Sequence, residues 1–382
     1  MMRRLAVVVC LLAIAVSPSS ASAPAALKVL ARNLDNPRKL SVGADGAVYV
    51  VEAGKGGTDV CTGTGQRAYC AGLSGAISRV APGHQERVAT GLVSWAMPTL
   101  QRAQGAADVL VRRNTYYVVL GDFFTNAHGD NPWGRDGAMT GKLIATPGGK
   151  VKARVIADLA AFEVAHNPDH GAGPGAKLGD PAIDSNPYAF VAYRGGFAVV
   201  DAAGNDLLWV SPKGKISVLA VFPIQTEKLT KADATALGLP PTMTSLEVQS
   251  VPSCVAVGPD GALYVGELTG RPFQRGKARV WRVVPGRSPS VYAKGFTTIA
   301  DLAFAGKDLL VLETTDKGLY DPRSTGALIR LAPDGTRTVL AADGLVYPTG
   351  VAVAGRTIYV SNYGFLPGSG PGPHGEVVVL QT

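Results

Sequence analysis

CVAVGPDGALYVGELTG (254–270), ARVWRVVPG (278–286) and SPSVYAKGF (288–296) read as four short strands separated by turns. The strands are rich in Val, Leu, Tyr and Trp, and the turns carry Gly, Pro and Asp. The same unit recurs as KLSVGADGAVYVVEAG (39–54), GAISRVAPG (75–83) and QERVATGL (85–92). It recurs again as DLAFAGKDLLVLETT (301–315), GALIRLAPDG (326–335) and TRTVLAADGL (336–345). Two further copies start at VLVRRNTYYVVLGDF (109–123), continuing with GKLIATPGG and KARVIADL, and at AFVAYRGGFAVVDAAGN (189–205), continuing with DLLWVSPKG and KISVLAVF. A sixth, GVAVAGRTIYVSNYG (350–364), is followed only by GEVVVLQT (375–382) and lacks its last strand.

LKVLARNL (27–34) matches the missing strand in pattern. The expectation is therefore an all-β, six-bladed β-propeller of the NHL-like kind. The N-terminal strand 27–34 would pair with the C-terminal blade and close the ring, which removes exposed sheet edges. Composition agrees: Gly 47 and Pro 26 of 382 residues are near 19%, against about 12% in average chains. Charged residues are 17% and apolar ones 46%, which excludes a disordered chain. One segment, TEKLTKADATALGLPPTM (226–243), reads as a loop first and a short helix second.

The first 23 residues read as a secretory signal peptide. Arg3 and Arg4 precede an apolar run, Leu5 to Val16, too short to span a bilayer, and Ala21-Ser22-Ala23 is a cleavage site. Residues 24–382 are then a single exported propeller domain, with no transmembrane segment expected. The formal net charge is +8, or +6 without Arg3 and Arg4. The basic residues are scattered, so nucleic acid is not an expected partner. Cys61 and Cys70 lie nine apart in a Gly-rich loop and read as a disulfide outside the cytoplasm. Cys254 is left over and reads as a buried small hydrophobe.

Turns between the first and second strands of each unit are tight. Longer connections, 54–74, 122–140, 160–186, 223–251 and 364–374 among them, emerge on the opposite face. A ligand site is expected on this long-loop face, over the central channel. Its partner would be a small molecule, a wall polymer or a protein. At the entrance to the inner strands, Asn36, Arg38, Asn186, Tyr188 and Tyr347 are the polar groups expected to face a ligand. Catalytic candidates are Glu163 and Glu267 as bases, with His166 or His170 as acid or metal ligand. His128, His374, Asp130, Asp136 and Asp169 add loop polarity, but Pro168 breaks a helical His166-x-x-x-His170 pair. Glu52, Asp201, Glu267, Glu313 and Asn362 all end a second strand. They read as acceptors for loop N–H groups, with Ca2+ or another metal as the alternative.

CAGLSGAISRV (70–80), AFEVAHNPD (161–169), DSNPYAF (184–190), VVDAAGNDLLWVSPKG (199–214), VPSCVAVGPDGALYVGELTGRPF (251–273) and KGFTTIADLAF (294–304) are not generic propeller strings. On these the chain resembles the ScyD/ScyE family, exported NHL-like propeller proteins associated by name with scytonemin biosynthesis. The resemblance implies fold and export and supplies no catalytic residues. Two readings follow: a secreted binding or scaffold protein, or an extracellular lyase, hydrolase or isomerase using the channel-mouth residues. A quinone-cofactor dehydrogenase would draw on Arg38, Arg194, Arg271 and Trp133.

Overall fold

Alternating apolar residues and turn glycines produce six antiparallel four-stranded meanders. A computed structural model describes residues 26–58, 60–63, 68–97, 102–121, 123–124, 138–171, 184–319, 321, 323–364 and 375–381. The segment expected to be a signal peptide, and His128, Asp130, Trp133, Asp136 and His374, lie outside them. The first meander is Pro37–Val42, Val48–Glu52, Tyr69–Ala81 and His84–Met97. The second is Arg102–Arg112, Thr115–Leu120, Lys142–Thr146 and Arg154–Asp158. The third is Pro187–Tyr193, Gly196–Asp201, Asp206–Val210 and Ile216–Val221. The fourth is Pro252–Val257, Leu263–Glu267, Ala278–Val283 and Ser290–Phe296. The fifth is Ile299–Ala305, Asp308–Glu313, Ala327–Leu331 and Arg337–Ala341. The sixth is Gly350–Ala354, Thr357–Asn362, Gly375–Gln381 and, from the other end of the chain, Lys28–Leu34. Lys28–Leu34 runs antiparallel to the last strand, with Lys28 opposite Val379 and Leu34 opposite Gly375.

The second strands are mostly buried, wholly so in Val48–Glu52, Gly196–Asp201 and Leu263–Glu267, and the fourth strands are the most exposed. Apolar clusters lie between successive meanders. Ile77 and Val118 belong to one between the first and second, and Trp281 and Val200 to one between the third and fourth. Leu34, Val377 and Val50 join the sixth meander to the first.

The GADG and GPDG turns show why the repeat is so regular. Asp45 accepts from the Ala47 N–H (3.2 Å), the Tyr49 hydroxyl (3.1 Å) and Arg79 Nε (2.9 Å). Asp260 does the same with Ala262 N–H, Tyr264 and Arg282 at 3.2, 3.2 and 2.8 Å. The glycines that follow, Gly46 and Gly261, take φ of 75° and 76°, which a side chain would resist.

The long connections hold more structure than the sequence reading gave them. Much of 69–74 and 93–106 is strand: the first meander's outer hairpin runs on, and Ser94 to Met97 pair with Gly105 to Arg102 of the second meander. Residues 160–186 contain helix α1 (Leu159–His166), and 223–251 contain helix α2 (Lys231–Ala236) and a two-stranded ladder, Gln225–Lys228 with Ser245–Val248. Cys61 and Cys70 form the expected disulfide. Cys254 is free and buried, and burial pushes its thiol up to about 12, so it is no nucleophile at neutral pH.

Candidate functional site

The second-strand ends are the first place where sequence and geometry can be compared. Glu52 accepts the Asp35 N–H (2.6 Å), the Ser78 hydroxyl (2.6 Å) and a two-pronged Arg87. Glu267 accepts from Ser250 (2.7 Å), Trp281 Nε1 (2.7 Å) and Arg279 through its backbone and its guanidinium. Glu313 takes the Thr297 N–H and Asn362 the Val346 N–H, both at 2.7 Å. Asp201 takes the N–H groups of Asn186, Ala203 and Gly204 and the Ser185 hydroxyl. In five of the six meanders these residues staple the second strand to the chain entering the first, and the second meander has Leu120 in this position. Glu267 is fully buried and its oxygens are committed to protein donors, so the geometry corrects its assignment as a base.

The inner-strand entrances are corrected in part. Arg38 is buried, and its guanidinium donates to the carbonyls of Gly364 and Ala103, so it does not face a ligand. Asn36 (φ 52°) donates from Nδ2 to the Gly54 carbonyl (3.0 Å), and Tyr347 (φ 43°) accepts the Gly364 N–H (3.1 Å). Both sit where the backbone turns through the left-handed region, as do Val251 and Thr298 (φ 50° and 42°). They shape the rim rather than line a pocket.

Asn186 and Tyr188 do come together. They line a cavity of about 190 Å³, room for about six waters at liquid density. Five meanders contribute to it. Gln104 comes from the second, Asn186, Tyr188 and Ala202 from the third, and Val251, Ser253, Leu268 and Phe273 from the fourth. Ala300, Thr314 and Leu319 come from the fifth, and Thr349 from the sixth. None of these lining side chains carries a charge.

Beside this cavity lies a buried charge group, Lys39, Asp108 and Asp301, whose lysine sequence reasoning passed over. Lys39 Nζ donates to the Ala300 carbonyl (2.6 Å) and Asp301 Oδ1 (2.9 Å), and it stands 5.6 Å from the Tyr188 ring centre. Burial pulls the Lys39 ammonium down, but Asp301 and its other acidic neighbours outweigh this and hold it above the ordinary lysine value. Asp108 accepts the Val109 and Phe190 N–H groups at 2.7 and 2.9 Å. Burial pushes its carboxyl up to about 7, against the pull of Lys39. Lys39 could have been singled out only as an ammonium at an inner-strand position that is apolar in other units.

A second group gathers on helix α1 and the turn after Asp201. Asp158 caps α1 by accepting the Ala161 N–H, and Asn167 ends it in the left-handed conformation (φ 40°). His166 is exposed, stacked on Phe162 with ring centres 4.2 Å apart. His170 lies beyond the helix end, also exposed, and the two do not converge. Glu163 points the other way and is 1% exposed. Burial, with Asp201, Asp169 and Asp184 nearby, pushes its carboxyl up to about 8.

No family model and no curated protein matches the chain. Among solved structures it is similar to a streptogramin B lyase at 12% identity, covering 93% of this chain and 97% of that one, with a TM-score of 0.44. It is also similar to virginiamycin B lyase from Staphylococcus aureus at 13% identity, covering 94% and 99%, with a TM-score of 0.43. PQQ-bound aldose sugar dehydrogenase from Streptomyces coelicolor is 12% identical over 93% and 98%, with a TM-score of 0.47. At this distance none of them transfers a residue role.

Proposed function

We propose that the chain is an exported six-bladed β-propeller of the ScyD/ScyE type that binds a small neutral molecule over the mouth of its central channel. The six meanders are the blades, and strand 28–34 closes the ring. Contacts between first strands support this: each packs on the next, and that of the sixth meander packs on that of the first. Export is supported by the leader-like first 23 residues and by the Cys61–Cys70 disulfide. No helix among the described residues is long and apolar enough to cross a membrane.

The observation that carries the binding reading is the cavity itself. Ala202, Val251, Leu268, Phe273, Ala300 and Leu319 give it apolar walls, and Gln104, Asn186, Tyr188, Ser253, Thr314 and Thr349 supply hydrogen-bonding groups. An uncharged lining favours a neutral ligand with a few polar atoms over a phosphate or a carboxylate. An enzyme reading draws on Asp108, whose carboxyl titrates near neutrality beside Lys39.

The test is a thermal-shift screen of neutral aromatic and sugar-like compounds on the mature protein. Tyr188→Ala should remove a wall of the cavity, and Leu319→Trp should fill it from its half-buried rim. Hits on the wild type should weaken at least tenfold in both variants at unchanged folding. Hits that bind the two variants as well as wild type would place the site elsewhere. Chemical conversion of a hit, lost in Asp108→Asn, would favour the enzyme reading.

A further inference from the structure

Asp201 and Asp206 are cross-strand partners at the end of the third meander's second hairpin, joined by the turn Ala202–Asn205. Their side chains therefore leave the sheet on one side. Helix α1 lies over the turn. Gly204 makes room for it: a Cβ there would stand 3.1 Å from Glu163 Oε2 and 3.3 Å from the Asp201 carboxyl carbon. Asp206 is fully buried, and neither of its carboxylate oxygens has a hydrogen-bond partner. Glu163 Oε2 is likewise buried and unpartnered. Among the described residues no Lys, Arg or His forms an ion pair with either carboxylate. Asp169, which accepts from Asn205 Nδ2 at 2.9 Å, adds a further negative charge to the same pocket.

A buried carboxylate without a donor is among the costliest groups a fold can carry, and two around one turn cost more. Two remedies exist: a shared proton or a cation. We propose that Glu163 and Asp206, with Asp201 and Asp169 around them, form a calcium site that braces the long-loop face of the third meander. All four side chains are carboxylates, and one lies on a short capped helix. That is the hard, adjustable donor set that suits Ca2+ better than Zn2+ or a thiophilic metal. Among the described residues no three such side chains already converge at ligation distance, so the ion would draw Glu163 onto Asp206. The exposed His166 and His170 take no part.

The site backs onto the cavity wall. The Asn186 N–H donates to Asp201 (2.6 Å), the Val251 N–H donates to Asn205 (3.1 Å), and the Ala202 N–H reaches the Asn186 carbonyl (2.9 Å). Asn186, Ala202 and Val251 all line the cavity. Calcium would thus fix a wall of the proposed ligand pocket without touching the ligand. The inference does not depend on that pocket being used.

The experiment is calcium titration of the mature, chelator-stripped protein by calorimetry and thermal unfolding, with no organic ligand present. Binding with a sub-millimolar Kd and a rise in Tm of several degrees at 1 mM Ca2+ are expected. Asp206→Asn and Glu163→Gln should each weaken binding at least tenfold. Asp45→Asn, on the opposite face, should leave it unchanged. A wild type that neither binds Ca2+ nor gains Tm overturns the proposal. So does calcium binding that survives Asp206→Asn and Glu163→Gln in folded protein. If the wild type ignores Ca2+ and Asp206→Asn alone raises its Tm, the two carboxyls share a proton instead.

Discussion

Glu313 occupies the same strand-end slot as Glu52 and Glu267 but is not gripped by a forked arginine as they are by Arg87 and Arg279. Burial, opposed by the Thr297 N–H and by Arg337 and Arg275, pushes its carboxyl from 4.5 up to about 7. Between those two pH values the folded chain keeps a proton that the unfolded chain has lost. Stability therefore falls as pH rises through this window and is level above it. Glu313→Gln keeps an acceptor for the Thr297 N–H and has no such slope. Between pH 4 and pH 8 the variant should gain on wild type by up to ~3 kcal/mol. Urea unfolding at both pH values measures this, and parallel profiles would refute it. The acidic slot itself was legible, because the aligned repeats placed an acid or amide after YVV, AVV, YVG, LVL and YVS. Its partners were not. Arg87 lies 35 residues after Glu52 on a fourth strand, and Arg279 lies 12 after Glu267 on a third strand, so no fixed spacing links them.

At the scale of single elements, the long outer hairpin of the first meander was hidden by its own glycines. Gly57, Gly72 and Gly75 read as turn signals, yet they serve close approach: a Cβ on Gly72 would stand 2.7 Å from the Gly57 Cα. Helix α1 is eight residues, too short for a clear apolar period, and its legible marks were its ends, Asp158 and Asn167-Pro168. The disulfide was readable from spacing and from the expected export, and it ties Cys61 to its cross-strand partner Cys70. A bridge closing about ten residues stabilises by about 2–3 kcal/mol in the chain-entropy account. The constraint is local, so replacing both cysteines with serine should lower Tm by only a few degrees. It should expose the 58–70 segment to limited proteolysis much faster than in the oxidised wild type. Equal cleavage rates would mean that the ladder holds without the bridge.

Across the whole molecule, a side chain in or just before a first strand, or at one junction in the turn after a second strand, bonds to the backbone of the next meander at every junction. Arg38 reaches Ala103, Asp108 accepts from Phe190, and Asn205 accepts from Val251. Ser253 donates to Ile299 (2.6 Å), Asp301 accepts from Val351 (2.9 Å), and Thr349 donates to Pro37 (2.8 Å). Of the residues that sequence reasoning assigned to a ligand, Arg38 belongs to this belt, Asn36 and Tyr347 shape left-handed turns, and Asn186 and Tyr188 line the cavity. The belt makes closure the decisive test of the six-bladed reading. Strand 28–34 buries Ala31 and Leu34 against the sixth and first meanders. A chain starting at Asp35 should lose several kcal/mol from that burial and offer the 375–381 edge to other chains. It should melt several degrees lower and self-associate in sedimentation. Gly375 allows a milder probe, because its Cβ would stand 2.4 Å from the Leu34 carbonyl and from Pro37. Gly375→Ala keeps the whole strand yet forces it off its partner, so it should destabilise in the same direction at full length. If the truncated chain and Gly375→Ala both melt and sediment as wild type does, the N-terminal strand does not close the ring.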